Sequence, residues 1–89
     1  MKYSYYFNPR SLKQLKKLDK PIQMLIINWL DKYIQNAENP RLYGKSLTAD
    51  RSDEWRYRIG DYRILAHIRD EIVEIEIIQV GHRRYVYDR

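Results

Sequence analysis

The stretch WRYRIGDYRILAHIR, residues 55–69, carries the information that decides how this chain folds. Gly60 and Asp61 interrupt two alternating runs and fit a two-residue hairpin that places glycine at its first central position. With those two residues in the loop, Ile59 faces Tyr62, Arg58 faces Arg63, Tyr57 faces Ile64 and Arg56 faces Leu65. One side of the sheet then shows Trp55, Tyr57, Ile59, Tyr62, Ile64, Ala66 and Ile68. The other shows Glu54, Arg56, Arg58, Arg63, His67 and Arg69. A one-residue slip would bury the arginines and expose the aromatics, so the register is strongly specified. Arg58 opposite Arg63 is the informative pair. Like charges across two strands are unfavourable, and a phosphate bound between them would turn that repulsion into a clamp.

Working outward, three strands are expected at about 53–59, 62–69 and 72–80, with a second even-length turn near Asp70 and Glu71. That turn sends Val73, Ile75 and Ile77 to the apolar side. Glu74 and Glu76 go to the charged side, where His67 beside Glu74 reads as a surface pair. Upstream, residues 40–51 are polar and irregular, with a turn at Gly44. Lys2 to Phe7 is aromatic-rich and reads as a first strand. Asn8 is a helix N-cap with Pro9 at the first helical position. Leu12, Leu15 and Leu18 form an apolar stripe opposite Arg10, Lys13, Lys16 and Lys17. A break at 19–21 restarts a second helix, whose Ile22, Leu25, Ile26, Trp29, Leu30 and Tyr33 follow the helical period. Asn39-Pro40 is expected to end it. The reading is an α+β fold, a single domain over 1–89 with a helical hairpin packed on one face of a sheet.

With 89 residues and 44% apolar content, the chain can fill one modest core. Its net charge of +5 favours an anionic partner such as RNA, DNA or an acidic protein. The absence of cysteine excludes disulfides and thiolate chemistry. Residues 1–7 lack the apolar core of a signal peptide, and the uncharged run from Pro21 to Leu30 is too short to span a membrane. A soluble, intracellular protein is expected. His67 and His82 lack matching ligand spacing with carboxylates, and no glycine-rich phosphate loop or serine elbow is present, so no metal or cofactor is expected. Alternating arginines also suit a plain solvated sheet face, part-neutralised by Glu74 and Glu76. The chemistry still open is RNA cleavage that uses the substrate's own 2′-hydroxyl. Arginine and tyrosine can supply charge stabilisation and proton exchange, provided neighbouring cations lower the tyrosine pKa from about 10.

The order strand, two helices, then WRYRIGDYR (55–63) and VGHRRYVY (80–87) resembles the RelE/ParE superfamily of bacterial type II toxins, most closely its RelE branch. The resemblance implies a cytoplasmic endoribonuclease that enters the ribosomal A site, cuts mRNA there and stops translation without a metal. It implies a cognate RelB-like antitoxin encoded adjacently, with operator DNA reached only through the toxin–antitoxin complex. It also implies a twisted antiparallel sheet reminiscent of small microbial ribonucleases. Carried over residue by residue, the family's basic pair falls on Arg56 and Arg58, and further arginines fall on Arg63 and Arg83. The C-terminal tyrosine falls on Tyr87. Tyr87 then acts as base on the 2′-hydroxyl, Arg63 and Arg83 stabilise the scissile phosphate, and Arg56 and Arg58 hold the RNA backbone. Arg69 and Arg84 are further candidate RNA contacts, while His82 and Tyr85 stay open as alternative acid or base. Two other readings remain: a ParE-like gyrase poison that cuts no RNA, and a non-catalytic nucleic-acid-binding module.

Overall fold

A computed structural model describes residues 1–86. Gly60 adopts the positive φ, 58°, that the tight turn requires. All four expected pairs are formed across it, from Ile59 opposite Tyr62 to Arg56 opposite Leu65. Around this hairpin the chain runs β1 (Ser4–Phe7), α1 (Pro9–Lys16), α2 (Lys20–Tyr33), β2 (Lys45–Thr48), β3 (Arg51–Ile59), β4 (Tyr62–Arg69) and β5 (Glu74–His82). The five strands form one sheet in the order β1-β5-β4-β3-β2. The expected antiparallel arrangement holds from β2 to β5, whereas β1 joins β5 in parallel. The chain between them runs through both helices and β2–β4, far longer than the dozen or so residues that parallel pairing needs. Ile26, Leu30 and Ile34 from the α2 segment meet Tyr57, Ile64, Ile68, Ile75 and Ile77 from the sheet to form the centre of the core.

The first helix does more than add leucines to that core. Asn8 caps it, its side chain accepting from the Ser11 N–H at 2.8 Å. β1 stops at Phe7 while β5 continues to His82, so beyond Ile77 the edge of β5 that faces away from β4 has no strand beside it. α1 satisfies that edge. Asn8 N–H and Ser11 Oγ both donate to the Ile77 carbonyl, at 3.1 and 2.6 Å. Gln14 Oε1 accepts from the Val80 N–H at 2.8 Å. Polar residues at three-residue spacing thus replace a missing strand, meeting the need to pair buried backbone groups.

An irregularity in the β4–β5 register sets the rest of the face. Leu65 pairs with Gln79 but Ala66 pairs with Ile77, so Ile78 is inserted as an extra residue. The insertion switches parity, bringing Val80 beside Ile64, Gly81 beside Arg63 and His82 beside Tyr62.

Three further sequence expectations are corrected, and the expected even-length turn is defined more closely. The second helix ends at Tyr33, well before Asn39-Pro40. Residues beyond it turn back, with Asn36 at φ 64°, to exchange backbone bonds with Tyr3. The segment expected to be irregular contains β2, paired to β3 through Lys45 and Arg56. The turn after β4 is a 3-10 turn over Asp70–Ile72, with Val73 left-handed at its end. It remains even in length, so Arg69 meets Glu74 and the parity survives. His67 pairs with Glu76 across β5 and contacts Asp53, not Glu74.

The long loop is held at both ends. Trp29, Tyr33, Tyr43 and Tyr57 stack in edge and tilted contacts with centroids 4.9–5.8 Å apart. The buried Tyr57 hydroxyl donates to the Pro40 carbonyl at 2.6 Å. Arg41 grips Asp70 with two bonds of 2.9 and 3.0 Å. No described helix is long and apolar enough to cross a membrane.

Candidate functional site

Arg56, Arg58 and Arg63 share the sheet face opposite the core, as the hairpin parity requires. They occupy its end nearest the Gly60 turn. Arg58 is exposed and directly opposite Arg63. Arg63 is not open to solvent: it is only 6% exposed. Its Nη1 donates to the Gly60 and Tyr62 carbonyls, both at 3.1 Å, which fixes the guanidinium at the base of the hairpin. Arg56 is half-buried beside it and pairs with Lys45 of β2, adding another cation to the row.

The tail after β5 folds back on this face. Arg83 N–H donates to the Asp61 carbonyl at 2.8 Å, and Tyr85 N–H closes a turn on the His82 carbonyl at 2.8 Å. The turn returns Val86 to the sheet, where it is 5% exposed. Gly81 makes the seat for it, since a Cβ there would lie 2.9 Å from Val86 Cγ2. Gly81 is also the residue opposite Arg63, so the tail packs over the arginine end of the sheet. Arg83 and Arg84 are exposed on the turn, with Arg83 Nε 4.0 Å from Asp61 Oδ1.

Two of the candidate proton-transfer groups lie within the described residues, and neither is buried among the arginines. His82 pairs with Tyr62 and stacks edge-on against its ring at 5.5 Å, on the side away from Arg58 and Arg63. Its Nδ1 accepts from the Arg84 N–H at 3.2 Å, so a neutral imidazole carries its proton on Nε2. Tyr85 is 75% exposed, its ring 6.3 Å from that of His82. The expected base, Tyr87, lies outside the described residues.

At the far end of the same face the chemistry changes. Arg69 pairs with Glu76 at 2.7 Å, and its other amine lies 3.5 Å from His67 Nδ1. His67 Nε2 lies 3.2 Å from Asp53 Oδ2. Hydrogen bonding from Arg51 holds the Asp53 carboxyl down at about 2, and Arg69 lowers that of Glu76. Arg69 is therefore matched by a carboxylate and set about 20 Å from Arg63 along β4, at roughly 3.3 Å per residue. At this end of the face Arg51 and Arg69 are each set against a carboxylate. No described group of histidines and carboxylates could hold a metal ion.

Sequence reasoning found the arginine row but missed what organises it. The Ile78 insertion, the Val86 seat on Gly81 and the Asp61 contact with the tail had no visible pattern. A glycine five residues before a lone valine was the nearest signal.

Sheet, helix pair and one-ended basic face define a small α+β protein of the RelE/ParE toxin superfamily. A family profile described as the ParE toxin of type II toxin–antitoxin systems, parDE, matches residues 5–87. The chain belongs to that family and is a toxin of a type II toxin–antitoxin system. Among proteins of curated function, none matches the sequence. The structure is similar to the toxin–antitoxin complex RelBE2 from Mycobacterium tuberculosis, with 28% identity and a TM-score of 0.78, covering 93% of this chain and 100% of that one. It is similar to isolated E. coli RelE, at 25% identity and TM-score 0.72, covering 90% and 83% of the two chains. The intact E. coli RelBE complex gives the same identity and TM-score, covering 90% of this chain and 95% of that chain.

Proposed function

We propose that this toxin is a ribosome-dependent endoribonuclease that cuts mRNA in the A site and so stops translation in the cytoplasm. The supporting observation is the convergence of Arg56, Arg58 and Arg63 at one end of the sheet face opposite the core, with the tail bearing Arg83 and Arg84 folded across it. In the reaction the 2′-oxygen bonds to phosphorus, the bond to the 5′-oxygen breaks, and a cyclic phosphate and a 5′-hydroxyl result. Arg63 and Arg83 stabilise the charge on the phosphoryl oxygens, where fixed donors matter most. Arg56 and Arg58 hold the backbone, and Arg84 extends the contact. Tyr87, as its phenolate, takes the 2′-proton, and a water molecule gives the leaving 5′-oxygen the proton that makes it a hydroxyl. Arg58 and Arg63 cannot serve as acids at neutral pH, because guanidinium does not release its proton readily. His82 is turned toward Tyr62, which leaves Tyr87 ahead of it. The ribosome supplies the in-line geometry that the chain alone does not impose. An adjacently encoded RelB-like antitoxin inhibits by covering the arginine end.

Induction without antitoxin, followed by mapping of mRNA 5′ ends, tests the reading: cuts inside reading frames are expected. Purified protein should cut mRNA on ribosomes with an empty A site and leave naked RNA nearly intact. The family profile's own description, a ParE toxin, favours a second reading, gyrase poisoning. Intact mRNA with impaired supercoiling would establish that reading instead.

A further inference from the structure

The first helix presents a second cationic surface, apart from the arginine face. Arg10, Lys13 and Lys17 line a groove of about 430 Å³ together with Pro9 and Gln14. The α1 segment contains no acidic residue. None of the three cations has an ion-pair partner among the described residues. At roughly 1.5 Å rise per residue the row is about 10 Å long, enough for two to three successive nucleotides at roughly 3.4 Å axial rise each. The row is also rigid, because Asn8, Ser11 and Gln14 fasten the helix to β5. Gln14 Oε1 is engaged by Val80, so what it can offer the groove is its amide donor pair.

We propose that this groove binds the sugar–phosphate backbone of ribosomal RNA, anchoring the toxin while the arginine end reaches the mRNA. The proposal rests on the ribosome being the target. RNA fits better than an acidic protein for a compositional reason. Protein interfaces bury apolar and aromatic anchors at their centre and are poor in lysine, whereas nucleic-acid interfaces are strongly cationic. Among the described residues that line the groove, Pro9 alone is apolar. The exposed apolar side chains, including Met24, Leu25, Leu42 and Tyr43, lie outside the groove.

The test compares Arg10→Gln/Lys13→Gln/Lys17→Gln with Lys2→Gln/Lys20→Gln/Lys32→Gln, which removes the same charge elsewhere. Binding to ribosomes with an empty A site is measured against salt concentration, antitoxin affinity separately, and folding by thermal melting. The groove triple should bind ribosomes more weakly, with a log–log salt slope shallower by about two to three. The control triple should keep the parent slope, and Lys13→Gln alone should lose about one unit of it if the triple folds poorly. Cleavage at saturating protein should keep the parent rate, since the substitutions act on docking. An unchanged slope, an equal change in both triples, or loss of antitoxin affinity with ribosome binding intact would overturn the proposal. Ribosome binding without cleavage would refute the nuclease reading and leave the groove standing.

Discussion

Arg63→Ala tests the proposed role of Arg63 at the scissile phosphate against that of an arginine that merely adds charge. Arg63 is 6% exposed and held by two carbonyls of its own hairpin, so its guanidinium is positioned before substrate arrives. Losing one such fixed donor typically costs on the order of 3 kcal/mol in the transition state, roughly a hundredfold in rate. The stability cost should be smaller. The freed Gly60 and Tyr62 carbonyls sit at an exposed turn where water can replace the bond, a loss of about 1 kcal/mol. That corresponds to a melting shift of roughly 4–8 °C for a domain of this size. Arg63→Lys keeps the charge without the fork and should recover only part of the rate. Arg83→Ala should lose a comparable factor in rate with almost no change in melting, because its side chain is exposed. Arg69→Ala removes the same formal charge, but Glu76 already neutralises it at 2.7 Å. It should leave the rate within several-fold of the parent. The assay is single-turnover cleavage of ribosome-bound mRNA at saturating protein, with melting recorded on the same samples. A folded Arg63→Ala that cleaves at the parent rate, or an Arg69→Ala that loses as much, would refute the reasoning.

Other outcomes follow from particular contacts. Tyr57→Phe leaves the buried Pro40 carbonyl without its 2.6 Å donor, a loss of about 1–3 kcal/mol measurable by chemical denaturation. Gly44→Ala should destabilise more than an alanine at exposed Ala49's neighbour Asp50, because φ is +79° and the new Cβ would run into the Arg56 carbonyl. Arg41, then Tyr3, hold the Asp70 carboxyl below its usual range. Its folded pKa is depressed, so its stabilisation is present above the ordinary carboxylate pKa of about 3.9 and fades as pH falls through the folded value. The melting difference between the parent and Asp70→Asn should therefore be constant from pH 7 to 5 and shrink below about 4. Tyr87→Phe should slow cleavage with ribosome binding nearly intact, while His82→Ala should keep the parent rate and pH profile. The reverse pattern would move the base to His82.

Legibility in the sequence followed the range of the interactions concerned. The Gly60 hairpin rests on contacts between near neighbours, and the alternation from Trp55 to Arg69 allowed one sensible register. Asn8 and Pro9 likewise mark a helix start by local chemistry. The second helix was overextended because Asn39-Pro40 is a sufficient stop but not the first one. Ile34 ends the periodic run, and the bonds that turn the chain at Asn36 come from Tyr3, some thirty residues earlier. β2 was invisible because Lys45 to Thr48 has no apolar alternation. Its strand identity comes from the β3 edge it pairs with, an example of context overriding propensity.

The candidate site shows the same division, with a sharper consequence. Placing Arg56, Arg58 and Arg63 together needed only one hairpin. Placing the tail depended on the inserted Ile78, and strict alternation gives the wrong side there. Continued from Ile75 and Ile77, alternation would put Gly81 on the core side and His82 among the arginines. The insertion reverses both. Gly81 then opposes Arg63 and, lacking a Cβ, lets Val86 settle on the cationic face; His82 turns to Tyr62. One extra residue in β5 thus takes His82 off the arginine face and puts Gly81 there instead. It also explains why a short basic tail can lie against like charges: the contact that seats it is apolar, through Val86, while Asp61 receives the Arg83 backbone beside it. Among the described residues the tail is thus seated by Val86 on Gly81, by the Arg83 backbone on Asp61 and by the turn that Tyr85 and Arg84 close on His82, all of them contacts that leave the Arg83 and Arg84 side chains exposed.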